Sequence, residues 1–182
     1  MATMKLGAEL KEGVPLEDLS ADFLAKAVAI KDNSPDTVIA NALAYGAAYS
    51  QHDDAKAAEY LETCLHYSPY APPNMRQALM SDAGVFQARK RKRIDLAEQW
   101  LAAMPGKIEI PWLRAMMEAA ILEAKGDIEG ALMQLEAIEK LVLAALDRAP
   151  RERAYRSLLK WKSELLPQVA PTVLSEKQDA KS

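Results

Sequence analysis

Residues 131–138, Ala131-Leu-Met-Gln-Leu-Glu-Ala-Ile138, place a small alanine four residues before a leucine and seven before an isoleucine. The arrangement also occurs twice upstream, as Ala57-x3-Leu61-x2-Cys64-Leu65 and as Ala97-x3-Leu101. The three alanines are 40 and 34 residues apart. A small residue lets one helix cross close to another, and a large residue one turn later fills the groove beside it. The pattern therefore predicts a helical hairpin that occurs three times.

The rest of the chain predicts further helices and no strands. Alanine, leucine, glutamate and lysine are strong helix formers, and segments with the alternation of a β-strand are absent. Caps, prolines and glycines delimit eight helices. They form a first helix at about 20–31, hairpins at 35–68, 74–105 and 111–147, and a last helix at 151–166. The hairpin at 111–147 is expected to bury Ala131, Leu135, Ile138, Leu141 and Val142.

A hairpin with one apolar face cannot fold alone, so stacked hairpins should share one continuous core. We therefore expect a single all-α domain over 20–166, a right-handed α-solenoid of three hairpins with a capping helix at each end. Residues 1–19 are expected to be an extension and residues 167–182 a flexible tail. Because the last helix places Trp161 and Leu165 on one side and charged residues on the other, it should cap the stack and favour a monomer, with a dimer as the alternative.

The repeated segment resembles the tetratricopeptide repeat family over about residues 35–145. Gly46 and Tyr49 are similar to the first-helix pattern of that family, Gly126-Asp127 to its inter-helix turn, and Pro69 to the end of a repeat. The chain departs from the pattern in the short turn before Ala57, in the truncated second helix after Ala97 and in Ala119, which stands in place of a glycine. The resemblance implies a protein-binding scaffold.

A second resemblance covers residues 86–101, Phe-Gln-Ala-Arg-Lys-Arg-Lys-Arg-Ile-Asp-Leu-Ala-Glu-Gln-Trp-Leu. This segment is similar to the helical-repeat tails that follow the membrane domain in some bacterial site-2-type zinc metalloproteases. It implies a regulatory or docking module of a membrane protease system. The sequence contains no His-Glu-x-x-His motif, so the resemblance does not extend to the protease itself.

The sequence offers no constellation typical of catalysis. Its two histidines, His52 and His66, lie on either side of a predicted helix, and Cys64 lies in the apolar stripe of that helix, where a thiol is inert. Cys64 and His66 point to different sides of the helix, which is unfavourable for a metal site. The seven glycines are scattered, so no phosphate-binding loop forms. We expect no enzyme activity, no cofactor and no metal.

Charge and cysteine content indicate the compartment. A net charge of −3 gives no general attraction to nucleic acid or anionic membranes. A lone cysteine excludes an internal disulfide, as is usual in a reducing compartment, and no apolar run is long enough to span a membrane. These features predict a cytoplasmic location.

The basic run 89–93 is the sharpest local charge feature. Cations favour the negative end of a helix dipole, so the run is expected to close a helix, its five side chains splayed around the axis. Binding of an acidic peptide or of nucleic acid through this run is the functional alternative.

In a solenoid of this kind the first helices of the hairpins line a concave groove that receives a peptide or a helix. The resulting prediction is a protein-binding adaptor whose partner contacts Leu43, Ala47, Ser50, Phe86, Arg89, Lys90, Met116, Ala120 and Glu123.

Overall fold

The computed structural model describes residues 25–26, 28–29, 31–107, 110–144 and 148–169, with the side chains of 148–154 left out. These residues contain seven α-helices and no strand, which confirms the prediction of an all-helical chain. The helices are α1 (Pro35–Ser50), α2 (Asp54–Tyr67), α3 (Pro73–Arg89), α4 (Ile94–Ala103), α5 (Leu113–Ala124), α6 (Ile128–Ala144) and α7 (Arg148–Val169). Most of the helix predicted at 20–31 lies outside the described residues.

Several helix boundaries differ from the sequence-based expectation, and α7, for example, begins at Arg148 instead of at 151. The helix α3 begins at Pro73, one residue before the expected start of its hairpin at 74, since proline is well suited to the first position of a helix. The last helix was expected to end before Pro167, but α7 continues through that proline to Val169. Proline is disfavoured there because it lacks an N–H and crowds the preceding turn, so the prediction was reasonable by local rules and wrong in this case.

The chain divides into two compact units, Met1–Ala83 and Gly84–Ser182, with the boundary inside α3. In the first unit α1 packs against α2, and a 3-10 turn at Ser68–Tyr70 follows α2. The core of that unit includes Val38, Ala44, Ala57, Leu61, Cys64 and Leu79. Helix α1 begins at Pro35 with Ser34 as its N-cap residue, as the sequence predicts.

In the second unit α5 packs against α6, α6 against α7, and α4 against α5. Its core includes Phe86, Met117, Leu135, Ile138, Leu158, Trp161 and Leu165. Gly84 of α3 comes close to Met117 of α5, because a Cβ at Gly84 would overlap the end of the Met117 side chain. A glycine at this position therefore permits close approach of the two helices.

The turns of the three predicted hairpins share one backbone feature. A residue with positive φ lies five positions before each repeated alanine: His52 at 60°, Lys92 at 54° and Gly126 at 85°. After His52 and Gly126, an aspartate caps the next helix. Asp53 accepts a hydrogen bond from the Lys56 N–H at 3.1 Å, and Asp127 accepts one from the Gly130 N–H at 2.9 Å.

The backbone bonds at the first and third turns are those of a Schellman motif. Asp53 N–H bonds to Ala48 C=O and Asp127 N–H bonds to Leu122 C=O, each across the residue with positive φ. Ala57, Ala97 and Ala131 are fully buried. Seven residues after them lie Cys64, Met104 and Ile138, all buried. The pattern read at Ala97 therefore continues to Met104.

Candidate partner-binding surface

The residues predicted to bind a partner fall into both units, and several of them are buried. In the first unit Leu43 and Ala47 belong to the core, and Ser50 is half-buried with its hydroxyl donating to the Gly46 carbonyl at 2.9 Å. Helix α1 is buried around most of its circumference, so its two faces cannot be distinguished as core and groove from periodicity alone.

In the second unit Phe86 and Ala120 also belong to the core, while Lys90 and Met116 are half-buried. The expectation that Leu43, Ala47, Phe86 and Ala120 form an accessible surface therefore needs correction, because in this structure their side chains fill the interior. Partner binding by the remaining five residues stays a prediction.

Arg89 and Glu123 come together, but they bind each other. Arg89 Nε donates to Glu123 Oε2 at 2.8 Å, and Arg89 Nη2 donates to Glu164 Oε2 at 2.7 Å. The Trp161 Nε1–H donates to the same Glu123 oxygen at 2.6 Å, and the Arg89 guanidinium carbon lies 4.4 Å from the centre of the Trp161 ring. The side chains of Arg89 and Glu123 are each 13% exposed. This Arg89 cluster joins α3, α5 and α7 within the second unit.

The basic run forms a turn and is not the last turn of a helix. Helix α3 ends at Arg89, and the four cations that follow lie in the connection to α4. Arg93 pairs with Asp95 at 2.8 Å on the surface, and the Arg91 guanidinium lies 5.7 Å from the Phe86 ring centre. The expectation that all five cations close a helix is therefore corrected: Lys92 takes a left-handed conformation, which ends the helical path.

The structure exposes apolar side chains that the sequence analysis did not assign to a surface. Among the described residues, six large hydrophobic side chains are exposed, and five of them lie on α6 and α7. These five are Met133, Leu141, Leu143, Leu159 and Leu166, between 41% and 72% exposed. Leu141 was expected to point inward and does not, because the apolar stripe of α6 is narrower than its run of apolar residues. Clustered exposed apolar residues are typical of interaction sites.

An ion pair shows which of these residues lie where α6 meets α7. Lys162 Nζ of α7 lies 2.8 Å from Glu139 Oε2 of α6, and its hydrogen bond lowers the pKa of Glu139. Residues three or four apart lie on the same side of a helix. Leu143 therefore lies on the side of α6 that carries Glu139, and Leu159 and Leu166 lie on the side of α7 that carries Lys162.

We call the set of Glu139, Leu143, Leu159, Lys162 and Leu166 the α6–α7 seam. Leu141 is two residues from Leu143, about 200° around the helix, and so lies on the opposite side of α6. The spacing of three and four residues from Lys162 would have placed Leu159 and Leu166 on the same side of α7. No neighbouring residue in the sequence, however, identifies Lys162 as the residue that faces α6.

Cys64 and the histidines form no reactive group in the described part of the chain. Cys64 is fully buried, its Sγ lies 3.6 Å from the Val38 carbonyl oxygen, and burial raises the pKa of its thiol to about 12. His52 and His66 are exposed, and His66 stacks edge-on against Tyr67. Within the described ranges, no three or more His, Cys, Asp or Glu side chains come together in a way that could hold a metal ion.

None of the described helices combines the length and the apolar character that crossing a membrane requires. The relation to tetratricopeptide repeats or to protease tails stays a prediction. A search of protein-family models, curated proteins and solved structures finds no match for this chain.

Proposed function

We propose that this chain is a non-enzymatic scaffold that binds a partner protein, and that the α6–α7 seam is part of the binding surface. The observation that carries the proposal is the three exposed leucines of the seam, Leu143, Leu159 and Leu166. Exposed apolar surface costs free energy in water, and burying it against a partner recovers roughly 25 cal/mol per Å². Leucines that lie together along a helix pair supply such a surface.

The repeated hairpin turns support the same proposal. Three turns that each contain a residue with positive φ five positions before a buried alanine are typical of a tandem array of hairpins. Arrays of this kind expose long helical surfaces, and they function by binding. A docking role toward a membrane metalloprotease is the special case of this proposal in which the protease is the partner.

Capture and cross-linking together test the proposal. The tagged full chain is incubated with cell extract, treated with an amine-reactive cross-linker, and analysed by mass spectrometry. We expect cross-links from a captured protein to concentrate on Lys140 and Lys160, which are exposed on α6 and α7, and to be rare on Lys56 of α2. Failure to retain any protein, or equal retention by a Leu159→Glu/Leu166→Glu variant that remains folded, would contradict the proposed surface.

Nucleic-acid binding is the second candidate, and it rests on the exposed turn that carries Arg91 and Lys92. Two of the five cations in the run are committed to carboxylates, Arg89 to Glu123 and Glu164 and Arg93 to Asp95. Phosphate contacts are strongest at low salt. A gel shift with single- and double-stranded oligonucleotides at low ionic strength, comparing the full chain with an Arg91→Glu/Lys92→Glu variant, therefore tests this function.

A further inference from the structure

Helix α7 is a basic helix in an acidic chain. It carries six arginine and lysine residues and two glutamates, a net charge of +4, whereas the whole chain has a net charge of −3. One of the two glutamates, Glu164, is paired with Arg89. Among the described side chains of α7, Arg156 and Lys160 are exposed, so this part of the helix surface carries positive charge.

Leu159 and Leu166 lie next to this charge. Arg156 is three residues before Leu159 and Lys160 directly follows it, and both cations are exposed. Neither of them forms an ion pair with another residue of the described chain. Lys162, between the two leucines, is held by Glu139. The seam therefore combines two exposed leucines seven residues apart with available positive charge on one flank.

We infer that the α6–α7 seam binds an acidic amphipathic helix of a partner protein, an inference that rests on the proposed scaffold function. Two leucines seven residues apart are about 10 Å apart along α7, the rise of two helical turns. This spacing matches the apolar stripe of a second helix. A segment that binds by β-strand addition would need an open sheet edge, and the described residues contain no strand. A proline-rich segment would need an aromatic groove, and none of the five seam residues is aromatic.

The same observations favour a protein over the other occupants of a basic, apolar helix. A helix that lies on a membrane inserts a wide apolar face, but the main apolar stripe of α7, made of Leu158, Trp161 and Leu165, is buried within the unit. A second copy of this chain would place its own Arg156 and Lys160 close to the first pair, where like charges repel.

A binding titration with defined peptides tests the inference. The probe is a fluorescein-labelled peptide of about five helical turns, with leucines on one side and glutamates on both flanks, and the control peptide has lysines in place of the glutamates. Fluorescence anisotropy is followed as the full chain is added at low ionic strength. We expect the acidic peptide to bind at least about tenfold tighter than the basic one, the size of effect that opposite charges at an interface produce.

Three variants locate the binding. Arg156→Glu/Lys160→Glu should weaken the binding of the acidic peptide about tenfold and strengthen the binding of the basic peptide. A folding defect would not reverse the preference in this way. Leu159→Gln/Leu166→Gln should weaken the binding of both peptides. Leu141→Gln is the matched control, since Leu141 has nearly the exposure of Leu159 (41% against 43%) but lies on the side of α6 away from α7. Circular dichroism verifies that each variant keeps its helical content.

Other results would overturn the inference. Equal binding of the two peptides, or binding that is indifferent to the seam variants, would contradict an acidic helical ligand. Binding to vesicles of anionic lipid without binding to the peptide would indicate a membrane surface, and a dimer in sedimentation that Leu159→Gln/Leu166→Gln dissolves would indicate a second copy. If the peptides fail while extract proteins still cross-link elsewhere on the chain, only this inference falls. If no protein cross-links at all, the proposed scaffold function falls as well.

Discussion

The guanidinium carbon of Arg89 lies 4.4 Å from the centre of the Trp161 ring, and both side chains donate hydrogen bonds to the same oxygen of Glu123. The last residue of α3 and the middle of α7 are thus joined through one carboxylate of α5. The N–H groups of Arg89 and Trp161 and the Trp161 ring stabilise the Arg89–Glu123 ion pair, which is largely removed from water. This cluster orients α7, the helix that carries part of the proposed binding surface.

Replacing Arg89 by alanine should destabilise the chain by about 3 kcal/mol. The substitution leaves Glu123, 13% exposed, with a single donor and Glu164 with none from this cluster, and breaking a largely buried ion pair is costly because the remaining charge is unpaired. Urea unfolding followed by circular dichroism measures the change. The matched control is Arg93→Ala, which removes a surface pair whose side chains are more than half exposed and should therefore change stability little. Equal losses for the two variants would show that the cluster has no special role.

The stability of the turn after α5 should depend on its glycine, Gly126. Gly126 has φ of 85°, where a side chain is strained, and a Cβ added at this position would meet no atom within 4 Å. Gly126→Ala should therefore destabilise by about 1 kcal/mol through the backbone alone. Gly106 provides the control, since its Cβ would also meet open space but its φ is not positive. Gly106→Ala should be neutral or slightly stabilising. A neutral Gly126→Ala in thermal unfolding would contradict the turn geometry.

At the equivalent turn after α1, a glycine should increase the stability of the chain. His52 adopts φ of 60° with an exposed side chain, so glycine at this position relieves strain and loses little packing. His52→Gly should stabilise by up to about 1 kcal/mol, offset in part by the greater freedom of glycine in the unfolded chain. Thermal melting at constant pH measures the effect, and a lower melting temperature would count against the assignment of His52 to a Schellman motif.

Gly84 and Met117 should behave as a coupled pair. Gly84→Ala places a methyl group where the end of the fully buried Met117 side chain lies, and overpacking of this kind costs about 1–3 kcal/mol. Met117→Leu shortens the side chain at that point. In a double-mutant cycle the combined variant should lose less stability than the two single variants together. Strict additivity would mean that α3 and α5 do not approach each other at Gly84.

Asp82 should make stability fall as the pH rises. Desolvation raises the pKa of this half-buried carboxyl to about 7, above the value of about 3.9 expected in the unfolded chain. Between these two values the folded chain binds more protons than the unfolded chain, so stability decreases from about pH 4 to about pH 7. Asp82→Asn removes this dependence. The variant should melt higher than the parent chain at pH 8, and the difference should shrink toward pH 5. A difference that is the same at both pH values would contradict the raised pKa.

The helices and the hairpin repeat could be predicted from the sequence because their signals are local. Proline at position 35, the glycine and aspartate at 126–127, and an alanine followed by a large residue one turn later act within a few residues of themselves. The positions of Ala57, Ala97 and Ala131 therefore indicated three hairpins, and all three alanines are buried. The error at Pro167 arose because local rules exclude proline from the interior of a helix, whereas α7 continues through this proline to Val169.

The surface could not be predicted in the same way. Leu43 and Phe86 are buried and Leu141 and Leu159 are exposed, although all four lie in apolar helical patterns. Arg89, the most prominent candidate for a partner, instead binds carboxylates 34 and 75 residues further along the chain. The sequence by itself determined that the chain is helical and where its main turns lie, because those features depend on neighbouring residues. The tertiary structure alone decided which side chains face solvent, because burial and ion pairing depend on residues that are distant in the chain.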